Sequence, residues 1–246
     1  MKTFKDKVAV VTGGNSGIGY ATAKLLTAEG AKVIITGRRK EALEEAAKEI
    51  GAFPYLADQS KVQDIENLTN EVQSHFGQVD ILFINAGITG DNTLIEEATE
   101  QNFDDVMNIN LKGTYFTLSR FIPLLKEGAS VILLSSNVAS TNHPKSSVYQ
   151  ASKAAVNSIA KTAAAELAPR RIRVNSVSPG PTRTNVLDKS YDTITAQGIW
   201  NSLADRIPLK KIGTPEDVAQ MVLYLSGETA SFITGSDFVI DGGILL

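Results

Sequence analysis

Short β-branched runs alternate with longer helical patterns from one end of this sequence to the other. A parallel sheet joined by crossover helices leaves that alternation in its sequence. Val8–Val11, Val33–Thr36, Phe53–Ala57, Ile81–Asn85, Ser130–Leu134, Arg173–Ser176 and Asp237–Ile240 are expected as strands. Gly17–Glu29, Lys40–Ile50, Val62–Phe76, Glu100–Leu125, Ser147–Leu167 and Pro215–Leu225 are expected as helices. Ile81-Leu82-Phe83-Ile84 is apolar at every position, as a strand covered on both faces requires. Thr214-Pro215-Glu216-Asp217 has the make-up of a helix start, with a Thr cap, a Pro at the first position and acids at the positive end of the dipole. No solenoid-length repeat, low-complexity tract or linker divides the chain, so residues 1–246 are expected to form one α/β domain with a doubly wound sheet. Thr184–Lys211 alone fits the alternation poorly and is expected as an insertion with a functional use.

Composition narrows the function. A formal net charge of −3 argues against a nucleic-acid or anionic-membrane partner, either of which calls for a basic face. No apolar run approaches the roughly 18 residues of a membrane span, and Met1–Lys7 lacks the apolar core of a signal peptide. A soluble, cytoplasmic protein is therefore expected. The absence of cysteine rules out a thiolate nucleophile and any zinc-thiolate or iron-sulfur site, and a chain of 246 residues can hold a core without staples. His75 and His143, the only histidines, are read as surface or loop residues, so no metal site is expected.

The first strand is followed by Thr12-Gly13-Gly14-Asn15-Ser16-Gly17-Ile18-Gly19, and a helix pattern takes over at Tyr20. A glycine-rich turn of this kind lets backbone approach a pyrophosphate, while the helix start offers free N–H donors and the positive end of its dipole. Tyr20 stands where a nucleoside-triphosphatase loop needs Lys, and Gly14-Asn15-Ser16-Gly17-Ile18 misses a nucleophile elbow by one residue, so a dinucleotide is the expected ligand. Such a unit turns the end of its second strand toward the adenosine ribose. That place reads Gly37-Arg38-Arg39. A guanidinium there pairs with a 2′-phosphate, which favours NADP(H) over NAD(H). NAD(H) stays open as the second choice, because the same arginines also read as the start of a solvated helix.

Tyr149 and Lys153 stand at i and i+4 in a helical pattern and so share one face. Ser136 follows the fifth strand, Asn110 lies in the helix before it, and Asn85-Ala86-Gly87 ends the fourth. All fall beyond the carboxyl ends of strands, where open parallel sheets bind ligands.

On these motifs the chain resembles the short-chain dehydrogenase/reductase family over essentially its whole length. The matching residues are Thr12–Gly19, Asp58 after the third strand, Asn85-Ala86-Gly87, Asn110, Ser136, Tyr149 with Lys153, and Pro179-Gly180 with Thr184. The resemblance implies a seven-stranded parallel Rossmann sheet, a nicotinamide cofactor and a homotetramer. It assigns Tyr149 as the acid/base, Ser136 and Lys153 as its partners and Asn110 as a fourth member that orients a water. The implied cofactor contacts are Gly13, Asn15, Ser16, Gly17, Ile18, Gly19, Arg38, Asp58, Asn85, Ala86, Gly87, Tyr149, Lys153, Pro179, Gly180 and Thr184. Within that set Asp58 is expected near the adenine, Asn85 near the cofactor ribose, and Thr184 near the nicotinamide amide or the pyrophosphate.

The expected activity is that of an NADPH-dependent carbonyl reductase or secondary-alcohol dehydrogenase. The alternatives are a 3-oxoacyl-(acyl-carrier-protein) reductase and a glucose-type sugar 1-dehydrogenase. The carrier reading needs a basic patch, and Leu125-Lys126-Glu127-Gly128-Ala129 offers one base offset by one acid. A catalytically idle NADPH sensor is a third reading, although such a protein would be free to lose the intact Asn110, Ser136, Tyr149 and Lys153 set.

Overall fold

The computed structural model describes residues 3–184 and 192–246. In chain order it holds β1 (Val8–Val11), α1 (Gly17–Ala28), β2 (Lys32–Gly37), α2 (Lys40–Ile50), β3 (Phe53–Leu56), α3 (Val62–Phe76), β4 (Val79–Ile84), α4 (Glu100–Met107), α5 (Thr114–Phe121), β5 (Leu125–Leu134), α6 (Ser147–Leu167), β6 (Arg173–Pro179), α7 (Thr193–Arg206), α8 (Pro215–Ser226) and β7 (Asp237–Ile240). The strands form one seven-stranded sheet in the order β3-β2-β1-β4-β5-β6-β7, and every pairing is parallel. This is the Rossmann-like topology, reversing direction between β1 and β4.

Strand side chains alternate between two apolar layers. Val8 and Val10 of β1 join Leu82, Ile84, Val131 and Leu133 beneath α3, α5 and α6. Ala9 and Val11 join Ile35, Ile81, Phe83 and Ile132 beneath α1, α2 and α8. Both faces are dry, which is why the central strands read as unbroken apolar runs rather than as alternating ones. The amino end of the sheet is pinned by Asp80, which accepts from Val8 N at 2.9 Å and pairs with Lys7 at 3.1 Å.

The expected helix Glu100–Leu125 is not one element. It divides into α4, a π-turn over Asn108–Gly113, α5 and a short 3-10 turn at Ile122–Leu124 that contains Pro123. Pro123 brings no N–H to a continuing helix. Leu125 is already paired with Val79 as the first residue of β5, so that strand starts well before the expected Ser130. The cause of the π-turn is tertiary and becomes clear at the site. Of the expected insertion Thr184–Lys211, residues 185–191 lie outside the described residues, as do Met1 and Lys2 of the amino-terminal reading. The later part forms α7, in which Trp200 is buried. Among the described residues, no helix is long and apolar enough to cross a membrane.

Candidate active site

A cleft of about 730 Å³ opens where β1, β2, β4 and β5 end. Its floor is the turn between β1 and α1, with Gly13, Asn15, Ser16, Gly17 and Ile18 in its wall. Ser16 caps α1 in an extended conformation without using its side chain, and the first turn carries no acid. The orphan N–H groups and the positive dipole end of α1 are therefore left for a ligand anion. Gly19 lies behind this wall. A Cβ on it would collide with the Gly13 carbonyl oxygen and with Asn85 Nδ2. Its spacing from Gly13 is thus set by contact between the helix and the loop. Thr184, carried back by the chain after β6, faces the same turn, with its Cγ2 3.3 Å from where a Cβ on Gly17 would stand.

At the β2 end, Gly37, Arg38 and Arg39 line the cleft together with Asp58. Both arginines are exposed and make no ion pair among the described residues. The Asn15 amide leans over Gly37, whose added Cβ would come within 2.8 Å of Asn15 Oδ1. Asp58 sits in a tight turn, where its Oδ1 accepts from Ser60 N at 3.0 Å and from Ser60 Oγ at 2.8 Å.

At the β4–β5 end the sheet and α6 gather the ionisable groups. Tyr149 and Lys153 both line the cleft. Burial pushes the Tyr149 phenol above its ordinary 10, and a hydrogen bond with Ser136 draws it part of the way back. Burial pushes the Lys153 ammonium down from 10.5 to about 8. Its Nζ donates to the Leu134 carbonyl at 2.8 Å and stands 5.8 Å from the centre of the Tyr149 ring. Ser135 Oγ donates to the Lys153 carbonyl at 3.1 Å, which ties α6 to the end of β5.

Asn110 and Asn85 spend their amide hydrogens on the protein itself. Asn110 is fully buried behind the cleft. Its Oδ1 accepts from Ile88 N at 2.9 Å, and its Nδ2 donates to Ile88 O at 2.8 Å and to Ser152 Oγ at 3.1 Å. Both amide hydrogens are spent on protein, so a water held at Asn110 would have to use its main chain or the remaining lone pair of Oδ1. Asn85 lines the cleft, yet its Nδ2 donates to Thr12 O at 2.9 Å and to Gly13 O at 3.1 Å. It braces the glycine loop rather than reaching outward. Ala86 and Gly87 line the wall beside it.

Pro179 and Gly180 lie outside the wall. Gly180 N donates to Ile240 O at 2.9 Å, which sets the course of the chain toward Thr184. Sequence reasoning missed Gln59, Ile88, Thr89, Gly90, Ile109 and Leu134, all of which line the cleft. Gln59, Ile88 and Ile109 each stood beside a recognised position, Asp58, Gly87 and Asn110, while Leu134 contributes a carbonyl, which leaves no mark in a sequence.

A dinucleotide fits this cleft on the structure's own terms: a glycine cradle that a Cβ would fill, an uncapped helix start, and unpaired arginines one strand away. Comparison with known proteins agrees. The family described as enoyl-(acyl carrier protein) reductase matches residues 13–245. The chain is 36% identical over 250 residues to a 3-oxoacyl-[acyl-carrier-protein] reductase of Thermotoga maritima, covering 99% of each. It is 35% identical over 251 residues to a 3alpha-hydroxysteroid dehydrogenase of Mediterraneibacter gnavus, covering 97% of each. A solved short-chain dehydrogenase/reductase from Brucella melitensis, described as a glucose/ribitol dehydrogenase, superimposes with a TM-score of 0.93 at 31% identity over 100% of both chains.

The contact at Gly19 yields a first prediction. Gly19→Ala is expected to weaken nicotinamide dinucleotide binding by about tenfold or more, because displacing the loop costs at least ~1.4 kcal/mol of complementarity. Fluorescence titration measures it, with circular dichroism to verify the fold. An unchanged dissociation constant would mean that the turn relaxes without disturbing the phosphate site.

Proposed function

The chain belongs to the short-chain dehydrogenase/reductase family, and from that premise we propose that it is an NADP(H)-preferring carbonyl reductase or secondary-alcohol dehydrogenase in which Tyr149 handles the proton. It is an NAD(P)-dependent oxidoreductase acting on CH–OH and C=O groups. The observation that carries the finer reading is the Tyr149 phenol beside the Lys153 ammonium in the same cleft as the glycine cradle.

When bound, the nicotinamide supplies the hydride or takes it back. The protein's own task is to move one proton and to hold the oxygen on which charge develops. Ser136 Oγ is neutral and can hold the substrate oxygen toward Tyr149 without competing for the proton. The Tyr149 phenol stays protonated through neutral pH because burial raises it, so it is ready to donate. Donation leaves a phenolate, and the Lys153 ammonium offsets that charge from beneath the ring. The Leu134 carbonyl keeps Lys153 in place for this work. Asn110 holds Ile88 and Ser152, and so fixes the wall against which the substrate rests. Gly13 and Gly17 with the start of α1 would hold the pyrophosphate, backed by Gly19, and Arg38 would pair with the 2′-phosphate, with Asp58 and Thr184 in the wall of the same cleft.

Reduction of 3-oxoacyl groups on a carrier protein and oxidation of a sugar at its first carbon are the second readings, supported by what the relatives are called. Lys126 pairs with Asp80 and Arg171 with Glu127 at the amino end of the sheet, on the edge opposite the cleft, so these bases neither form nor exclude a carrier-docking patch beside it. Turnover on a panel of ketones, 3-oxoacyl thioesters and sugars separates the three. We also read a cytoplasmic homotetramer here. Fully exposed Phe232 and Leu246 and half-exposed Val239 and Leu245 support burial of the β7 side against other subunits.

Tyr149→Phe removes only the hydroxyl, so cofactor binding should persist while turnover falls by about 10² to 10⁴. Near-normal turnover would sink the assignment.

Lys153 sets the pH dependence. Its charge is present below about 8 and is lost as pH rises through that value. kcat/KM for reduction should therefore be level at lower pH and fall above about 8, and Lys153→Met should lose both the break and most of the rate. A profile with no break below the ordinary phenol range counts against Lys153 as the source of the charge.

Arg38→Ala is expected to lower the NADPH-over-NADH ratio of kcat/KM by about tenfold, near the low end for a charge-assisted bond because the side chain is exposed. A wild type that already prefers NADH would make Arg38 a solvated helix-start residue and nothing more.

A further inference from the structure

The turn from β3 to α3 carries one buried polar side chain that the chemistry above does not use. Gln59 is 7% exposed, and its Nε2 donates to the Ala86 carbonyl at 3.1 Å and to the Ile109 carbonyl at 3.2 Å. The two acceptors belong to different walls of the cleft. Ala86 follows β4, and Ile109 lies in the π-turn one residue before Asn110. A π-turn shifts main-chain bonding by one residue and leaves a carbonyl that must find a donor elsewhere. Gln59 supplies a donor at that place.

Two further observations describe how Gln59 is packed. Gly113, the last residue of the π-turn, has an ordinary helical conformation, yet a Cβ on it would collide with the Gln59 carbonyl oxygen and lie 2.8 Å from Gln59 Cγ. The glycine is there for room. In addition, Gln59 Oε1 is buried without a hydrogen-bond partner among the described residues. What Gln59 contributes is therefore its two donor bonds, to the Ala86 and Ile109 carbonyls.

We propose that Gln59 is a positioning residue for the reaction: its amide clamps the π-turn to the loop after β4 and thereby sets Asn110. Asn110 in turn holds Ile88 through two hydrogen bonds and Ser152 of α6 through a third, one residue before Lys153. The loop Ala86–Ile88 is thus held at one end by Gln59 and at the other by Asn110. Loss of the clamp leaves the Ala86 and Ile109 carbonyls without their donor, and the turn that carries Asn110 loses its fixed place.

The catalytic part of this inference rests on the carbonyl-reductase reading, and the test keeps the two apart. Gln59→Met preserves length and removes the donor. Amide hydrogen exchange at Ile88 and across residues 108–113 is expected to quicken by roughly tenfold or more. kcat should fall by about 10- to 100-fold, the scale of a small misplacement remote from the chemistry, together with a lower Tm from the two stranded carbonyls. Gln59→Glu adds a readout that a purely structural role would not move. Its protonated carboxyl can donate to one of the two carbonyls and its ionised form cannot, so this variant should regain turnover as pH is lowered, unlike wild type. Unchanged exchange in Gln59→Met overturns the clamp, as does faster exchange with wild-type kcat. If Gln59→Met does not fold, the Glu variant decides, and absence of recovery at low pH then overturns the proposal. A wild type without nicotinamide-linked turnover would count against the functional reading alone, while the exchange result would still decide whether Gln59 holds the turn.

Discussion

Thr12 and Asn85 join the carboxyl ends of β1 and β4, the neighbouring strands between which the sheet order reverses. Thr12 Oγ1 accepts from the N–H groups of Asn85 and Ala86, each at 3.0 Å, and Asn85 Nδ2 returns bonds to the carbonyls of Thr12 and Gly13. The chain leaves β1 and β4 toward opposite faces of the sheet, so main-chain groups at this point diverge and would be stranded. Two side chains satisfy them. The stitched strand ends hold Gly13 in place, Gly13 sets the approach of Gly19, and the start of α1 is thereby aimed into the cleft. The phosphate end of the site takes its position from this seam.

Much of this was legible in the sequence because it follows from local pattern. The seven strands appear where β-branched runs predicted them, and the glycine turn lies between β1 and α1 as its spacing required. The sequence also indicated that Tyr149 and Lys153 share a face, and both line the cleft. What stayed hidden depends on partners distant in sequence. Glu100–Leu125 carries a continuous helical pattern, and only the tertiary bonds of Asn110 to Ile88 and Ser152, and of Gln59 to Ile109, accompany the π-turn that interrupts it. Asn85 was expected near the cofactor ribose; it lines the cleft and also braces the glycine loop, and that second use has no mark in a sequence.

The two titratable groups at the site move in opposite directions for one reason. Both are taken out of water, which disfavours the charged form of each, so the phenol rises while the ammonium falls to about 8. The phenol is left neutral and able to donate, and the ammonium is left just charged enough at neutral pH to offset a phenolate when one forms. Burial is what lowers Lys153, and its Nζ meets the Leu134 carbonyl at the end of β5, which fixes where that charge stands.

The cleft is made of different materials along its length, and this governs how such a chain can change. At the pyrophosphate end the contacts are glycines, main-chain N–H groups and a helix dipole, and nearly any added side chain fills the space that the ligand needs. At the β2 end two exposed guanidiniums, Arg38 and Arg39, line the cleft and make no ion pair among the described residues. At the far end Ile88, Thr89 and Gly90 share the cleft wall with Tyr149, and the loop that carries them is tied by Gln59 and Asn110. Binding of a dinucleotide is therefore fixed by backbone geometry that substitution can only damage. Choice of cofactor and choice of carbonyl compound instead depend on a few side chains at the two open ends, where replacements alter preference without dismantling the site.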